Sequence, residues 1–268
     1  MSEAISNATV EKTTKQILVR DRMCSRVAAV ASDASASDIL GVLEARSISA
    51  VPILEHGKLV GIVSTTDIVS ATARVAATNH PVPAASELMT SPVVTVSPDE
   101  PLLEASRKMV AGKVHRVVVV DQDRVVGMLS ARDVLKEVKA RLVETPIGKV
   151  MTTPVLTVEV GESIDEAIAK LASANVHGLV VVDSTWPIGV FTHAEAIAAR
   201  SLPANLRGLS VERVMSYETV CLDAATPVHR AASYLVAMNV RRILVVEKRD
   251  LVGIMSCLDL VACLTEGT

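Results

Sequence analysis

The sequence predicts an α+β fold made of four copies of one β-α-β-β-α unit, and three observations carry that reading. A seven-residue stretch recurs four times, as Gly61 to Asp67, Gly127 to Asp133, Gly189 to Glu195 and Gly253 to Asp259. Each copy starts 38 residues after a methionine (Met23, Met89, Met151, Met215), with a Ser or Thr at 41 and an acid at 44, and no register contains a gap. Each interval also holds the same order of short apolar strand, amphipathic helix and Val-rich strands. Four ungapped registers of this length mark an internal duplication.

The second unit gives the order most plainly. Val93-Val94-Thr95-Val96 is a short strand, and Ser97-Pro98-Asp99-Glu100-Pro101 is turn and helix-start chemistry. A helix follows with Leu102, Ala105, Met109 and Val110 on one face. Arg116 to Asp121 is the second strand, Gln122-Asp123 a turn, and Arg124 to Leu129 the third strand. Val134, Leu135 and Val138 mark the closing helix. In the other units Ile39 and Leu43, then Ile164, Ile168 and Leu171, then Val228, Ala232 and Leu235 mark the first helices. The expected units span 17–74, 86–142, 147–201 and 210–264, after a tail over 1–16. A unit of about sixty residues cannot bury both faces of such apolar strands alone. The units are therefore expected to pack in pairs about a pseudo-twofold axis. Short connections, Ala73 to Ala85, Leu142 to Pro146 and Ser201 to Gly208, favour docking along one chain.

Composition narrows the function classes. Half of the 268 residues are apolar, yet Phe191, Trp186, Tyr217 and Tyr234 are the only aromatics, so the core must be aliphatic. Few stacking platforms and a net charge of −3 argue against nucleic-acid binding. No apolar run approaches a bilayer's thickness, and the polar N-terminus lacks a signal segment, which points away from the membrane and to the cytoplasm. Cys24, Cys221, Cys257 and Cys263 lack CxxC spacing, and reduced, buried thiols are expected. The six histidines (56, 80, 115, 177, 193 and 229) have no ligand-like spacing. No nucleophile–base pair or Walker loop is present, so no enzymatic activity and no cofactor are expected.

The recurring stretch supports two chemistries. Ser64, Ser130, Thr192 and Ser256, each three residues before Asp67, Asp133, Glu195 and Asp259, can form a capping box, in which hydroxyl and carboxylate satisfy the helix's first amides. The same geometry can serve a ligand, because a helix start attracts phosphate and a carboxylate accepts hydrogen bonds from a ribose diol. Glu195 suits the box better than the short aspartates do.

At this point the residues resemble the cystathionine-β-synthase (CBS) domain. The leading Met, the strand before the long helix, the Val-rich strand ending in Asp and the Gly-x-x-Ser/Thr-x-x-Asp finish carry the resemblance over about residues 17 to 264. Four copies would make two paired (Bateman) modules in a disc-like, pseudo-symmetric arrangement. A further similarity is to the four-domain γ subunits of AMP-activated protein kinase. In them a His-Arg pair before the second strand contacts phosphate, matched here by His115-Arg116. Arg241-Arg242 in the fourth unit and His177-Gly178 in the third are looser counterparts, and Ser49-Ala50-Val51-Pro52 is the neutral version.

The resemblance implies clefts for an adenosine derivative such as AMP, ADP or ATP. One is expected to combine Ser64, Thr66 and Asp67 with His115, Arg116 and Arg132, carboxylate for ribose and cations for phosphate. Ser130 and Asp133 belong to the same module, and in the second module Ser256 and Asp259 join Arg241 and Arg242. Thr95 and Thr157, in the first strands, are candidates to reach a ribose or phosphate, or are strand threonines satisfied by backbone. Thr192 lies in the third unit's cleft, which is expected to be empty or altered. The functional expectation is a regulatory sensor that acts on an unidentified protein partner. A ligand-free scaffold, S-adenosylmethionine or a cyclic dinucleotide as ligand, and association of two chains stay open.

Overall fold

The computed structural model describes residues 16–68, 71, 83–174, 176, 178–200 and 202–266, which form four three-stranded sheets. The tail to residue 15, most of the first connection, His177 and Ser201 lie outside the described residues. The first sheet holds β1 (Val30–Ala31), β2 (Ala50–Glu55) and β3 (Lys58–Ser64), and the second β4 (Thr95–Val96), β5 (Arg116–Asp121) and β6 (Arg124–Ser130). The third holds β7 (Thr157–Glu159), β8 (Gly178–Asp183) and β9 (Trp186–Thr192), and the fourth β10 (Cys221–Asp223), β11 (Arg242–Glu247) and β12 (Asp250–Ser256). In each, the first strand runs parallel to the central one and the third returns antiparallel. The longer helices are α1 (Ala36–Ala45), α2 (Leu102–Ala111), α3 (Ala131–Ala140), α4 (Ile164–Ala174), α5 (His193–Arg200), α6 (Val228–Ala237) and α7 (Cys257–Glu266). The second unit thus takes the expected order, with its first strand trimmed to Thr95–Val96.

The hairpin turns follow from residues that tolerate positive φ. Gln122 and Asp123 sit at 45° and 63°, and His56-Gly57 at 49° and 79°, the backbone twist that matches two-residue hairpins. All four hairpins carry an extra residue just before the motif glycine. Val119 pairs with Gly127 and Val120 with Val125, so Val126 bulges out, and Val60, Ile188 and Val252 do the same.

Central strands are buried on both faces, and the two faces meet different neighbours. In β8, Leu179 and Val181 pack with α4 and Phe191, whereas Val180 and Val182 meet Leu244 of the fourth unit. The pairing is reciprocal. The segment led by Met23 docks on the second unit, where Cys24 bridges to Met128, and Thr90, after Met89, bridges back to Ile62. Thr152 with Ile254 and Ser216 with Val190 repeat the exchange in the other pair. The constant Met-to-Gly spacing therefore records contacts made across a pair. Met23 lies over Gly127, Met89 over Gly61, Met151 over Gly253 and Met215 over Gly189.

The two pairs join through the second and fourth units. Leu135 and Val138 of α3, Leu235 of α6, Leu260 and Val261 of α7 and Met109 of α2 share one core, at most 2 % exposed. The cysteines depart from expectation. Cys257 is buried, Cys221 and Cys263 are half-buried, and Cys24 is exposed because its docking segment runs over the second unit's surface. No helix among the described residues is long and apolar enough to cross a membrane.

Candidate functional site

The site begins at the helix starts. Ser130 ends β6, and its backbone N–H donates to Asp133 Oδ2 at 2.9 Å while its hydroxyl donates to the same oxygen. Ser64 and Asp67 do likewise at 2.8 and 2.6 Å, Ser256 and Asp259 at 2.6 and 2.8 Å, and Thr192 and Glu195 at 2.9 Å through the backbone and also through the hydroxyl. All four acids are therefore helix caps. Each cap uses one oxygen, Oδ2 in the aspartates, and the Oδ1 atoms of Asp67, Asp133 and Asp259 accept no bond among the described residues.

Strand register decides which cations stand beside which cap. Arg116 pairs with Ser130 across β5–β6, and Ala131 N donates to His115 O at 2.9 Å. His115-Arg116 therefore flanks Ser130–Asp133 of its own unit. The expected grouping with Ser64 and Asp67 is corrected: of that trio, Thr66 alone joins His115, Arg116 and Arg132 in a cavity. This cavity of about 400 Å³ lies between the first two units. Its walls are Ser47–Ala50 and Arg26–Ala28 of the first unit and Met128–Asp133 of the second, with Arg241, Arg242, Ser256 and Cys257 reaching in from the fourth. Arg116 Nη2 donates to Ser49 Oγ across the pair. Arg132 Nη2 reaches the C-terminal end of α6 and donates to Leu235 O and Val240 O, both at 3.3 Å.

A second cavity of about 290 Å³ lies between the third and fourth units. Thr192, His193 and Ala194 face Glu218–Val220 and Val240–Arg242, and Thr65 and Thr66 close it from the first unit. The third unit's cleft, expected to be empty or altered, is thus an open cavity that holds the arginine pair. Arg242 pairs with Ser256 in β11–β12, so it also stands beside its own unit's helix start. Asp259 lines neither cavity, and Thr95, exposed on β4, and Thr157 line neither.

The cations are concentrated, and Asp133 offsets Arg116 only in part. Among the described residues Arg116, Arg241 and Arg242 form no ion pair. Burial and the nearby Arg241 hold the Arg116 and Arg242 guanidiniums below their ordinary pKa. Burial pushes the Cys257 thiol up, against the pull of Arg132 and Arg241. Like charges driven together at helix N-termini are an arrangement that an anion relieves. No group of three or more His, Cys, Asp or Glu among the described residues is placed to hold a metal.

Arg26, Ser47-Ile48 and Glu218 were missed from the sequence, and so were two further stretches of wall, Val27-Ala28 and Thr219-Val220. Both stand four and five residues after a repeat methionine, Met23 and Met215, and that shared offset was the available signal.

Comparison with known proteins agrees with this architecture. The CBS-domain family model matches residues 19–74, 85–140, 147–201 and 211–266. The 33.4 kDa protein of a ribosomal RNA operon in Thermofilum pendens is 29% identical over 174 residues, 60% of this chain and 57% of that protein, so the chain spans little more than half its length. CBS domain-containing protein YhcV of Bacillus subtilis is 29% identical over 116 residues, 43% of this chain and 81% of YhcV. Among solved structures, protein MJ1225 of Methanocaldococcus jannaschii, proposed as an archaeal homologue of g-AMPK, superposes with a TM-score of 0.78 at 17% identity. It covers 92% of this chain and 100% of its own. A conserved protein of Pyrococcus horikoshii gives 0.68 at 21% identity with the same coverage. At these identities the structural likenesses establish the fold alone.

Proposed function

This chain belongs to the CBS-domain family, with four copies in sequence, and on that premise we propose that it is a regulatory protein that binds phosphorylated adenosine derivatives between paired units. The observation that carries the proposal is the 400 Å³ cavity in which the Ser130–Asp133 helix start meets five arginines (Arg26, Arg116, Arg132, Arg241 and Arg242) that form no ion pair among the described residues. Asp133 Oδ1 takes a ribose hydroxyl, and Arg116, Arg241 and Arg242 take phosphate oxygens. The cluster favours a phosphorylated ligand over a sulfonium such as S-adenosylmethionine, whose cation it would repel. The ligand bridges units, so its free energy biases their relative tilt, and a partner protein that docks on one tilt would sense occupancy. The four matched domains span most of this chain, which supports a regulatory role for it.

Calorimetric titration of AMP, ADP and ATP tests this. Arg116→Ala and Asp133→Ala are expected to weaken binding more than Asp67→Ala or Asp259→Ala, whose carboxylates lie outside the two cavities. A ligand at a hundredfold its Kd should stabilise the chain by about 2.7 kcal/mol. If no nucleotide raises the melting temperature, the clefts are structural, the acids are caps alone, and the protein is a scaffold.

A further inference from the structure

We propose that the two cavities are a single linked system in which phosphorylated ligands antagonise one another through a shared arginine pair. The inference rests on the nucleotide-binding reading above and adds how its sites are regulated. Arg241, Arg242 and Thr66 line both cavities. Every other residue of the larger cavity's wall is absent from the smaller one's. The linkage crosses the module boundary, because Thr66 belongs to the first unit and the arginines to the fourth.

The sign follows from the charges. Without ligand, Arg241 stands beside both Arg116 and Arg242 in a partly buried space that the three share, where burial first and the charge of Arg241 second disfavour the two guanidiniums and Asp133 offsets this at Arg116 only in part. The first anion to arrive, in either cavity, relieves that repulsion. A second anion finds the common guanidiniums already engaged and a negative neighbour across them, so it binds more weakly. Arg26, Arg116 and Arg132 line only the larger cavity, whereas the smaller one carries Glu218, so the larger keeps cations of its own and fills first. Uncharged adenosine uses the helix start and the apolar wall and leaves the arginines alone. The antagonism must therefore grow with ligand charge, from none for adenosine through AMP to ATP. The consequence is a response spread over a wider range of ligand concentration than one site gives.

Unequal cavities would also give two dissociation constants, so the test closes a thermodynamic cycle. Ala194→Trp, at an exposed position on the smaller cavity's wall, blocks that cavity, and Ala28→Trp blocks the larger one. Should Ala28→Trp fail to fold, Ile48→Trp, on the exposed rim of the same cavity, replaces it. Calorimetry on the full-length chain gives the product of the two stepwise dissociation constants, and the two blocked variants give the product of the isolated ones. Their ratio is expected to be about tenfold or more for ATP, within the usual span of linked sites, smaller for AMP and one for adenosine. A single ATP bound by the unsubstituted chain, with each blocked variant still binding one, is the limiting case and supports the proposal. A ratio of one or less for ATP, or a ratio equal for ATP and adenosine, overturns it while leaving nucleotide binding intact. So does a blocked variant that no longer binds ATP, since that leaves one site only. No heat from any of the three ligands overturns the nucleotide reading itself, and this inference with it.

Discussion

The same substitution, Gly→Ala, is expected to destabilise at two positions, where the exchange of leading segments between units sets the size of the cost, and to stabilise at a third. At Gly189 the added Cβ would lie 2.7 Å from Met215 Sδ and 2.8 Å from Ser216 O. The thioether can swing away, but the carbonyl cannot. Val190 N donates to it at 2.9 Å, and Ser216 N returns a bond of the same length to Val190 O. Gly189→Ala must push two backbones apart and is expected to cost about 2–3 kcal/mol, the upper part of the range for overpacked sites. At Gly127 the closest atom is Met23 Sδ at 2.6 Å, with Cys24 O at 3.2 Å. There the flexible side chain gives way, and the cost should be nearer 1 kcal/mol. Gly41, inside α1, has nothing within 4 Å of its added Cβ, so Ala should stabilise by about 0.5–1 kcal/mol through helix propensity. Urea unfolding of the three variants reads the order directly, and melting temperatures should follow at about 2–4 °C per kcal/mol. A neutral Gly189→Ala, or a Gly127→Ala as costly as it, would refute the argument that a pinned carbonyl decides the effect.

Two further outcomes follow from side chains that tie elements together. Arg132→Ala leaves Leu235 O and Val240 O without their donor and removes a cation from the C-terminal end of α6. Chemical denaturation should give a loss of about 1–3 kcal/mol, and Arg132→Lys should recover less than half of it. Asp38 is held below its ordinary pKa by the Ser35 hydroxyl and then its backbone amide, and Glu166 by the backbone amide and then the hydroxyl of Ser163. Depressed carboxylates contribute stability that is complete above about pH 5, beyond their unfolded values, and lost as the pH falls through their lowered folded values. The urea midpoint should drop more steeply on acidification in the parent than in Asp38→Asn or Glu166→Gln.

The repeat, its β-α-β-β-α order and the buried faces of α2 and α3 were legible because periodicity and capping are local. Leu102, Ala105 and Met109 stand at helical spacing, and Gln122-Asp123 sits between two apolar runs. The grouping of cations with acids was less legible, because it depends on register. A hairpin bulge at Val126 fixes Arg116 opposite Ser130, and nothing in the sequence marks Val126 as the extra residue. The union of the second and fourth units was invisible for another reason. Leu135 and Leu235 are apolar at helical spacing in the same way as Ile39 and Leu171, so amphipathicity alone cannot tell a face buried within its unit from one that meets another module. Arg241-Arg242 stood out in the sequence, but its reach into two cavities is a property of that union.

Cap and ligand site at Ser130–Asp133 are one device. Oδ2 is held by the Ser130 amide and hydroxyl, which fixes the carboxylate's rotamer and leaves Oδ1 with no partner among the described residues. A carboxylate fixed in this way loses little further entropy when it binds a diol. Ser130→Ala should therefore do two separable things. It removes a cap, at about 1 kcal/mol of stability, and it loosens Asp133, which weakens nucleotide binding although Asp133 is unchanged. Ser64→Ala removes an equivalent cap whose carboxylate lies outside both cavities, so it should cost similar stability and leave affinity as it was. Equal affinity in the two variants would mean that the cap does not orient the acid for a ligand. A loss in Ser130→Ala alone would tie the helix start to the site through a residue that need not itself touch the nucleotide.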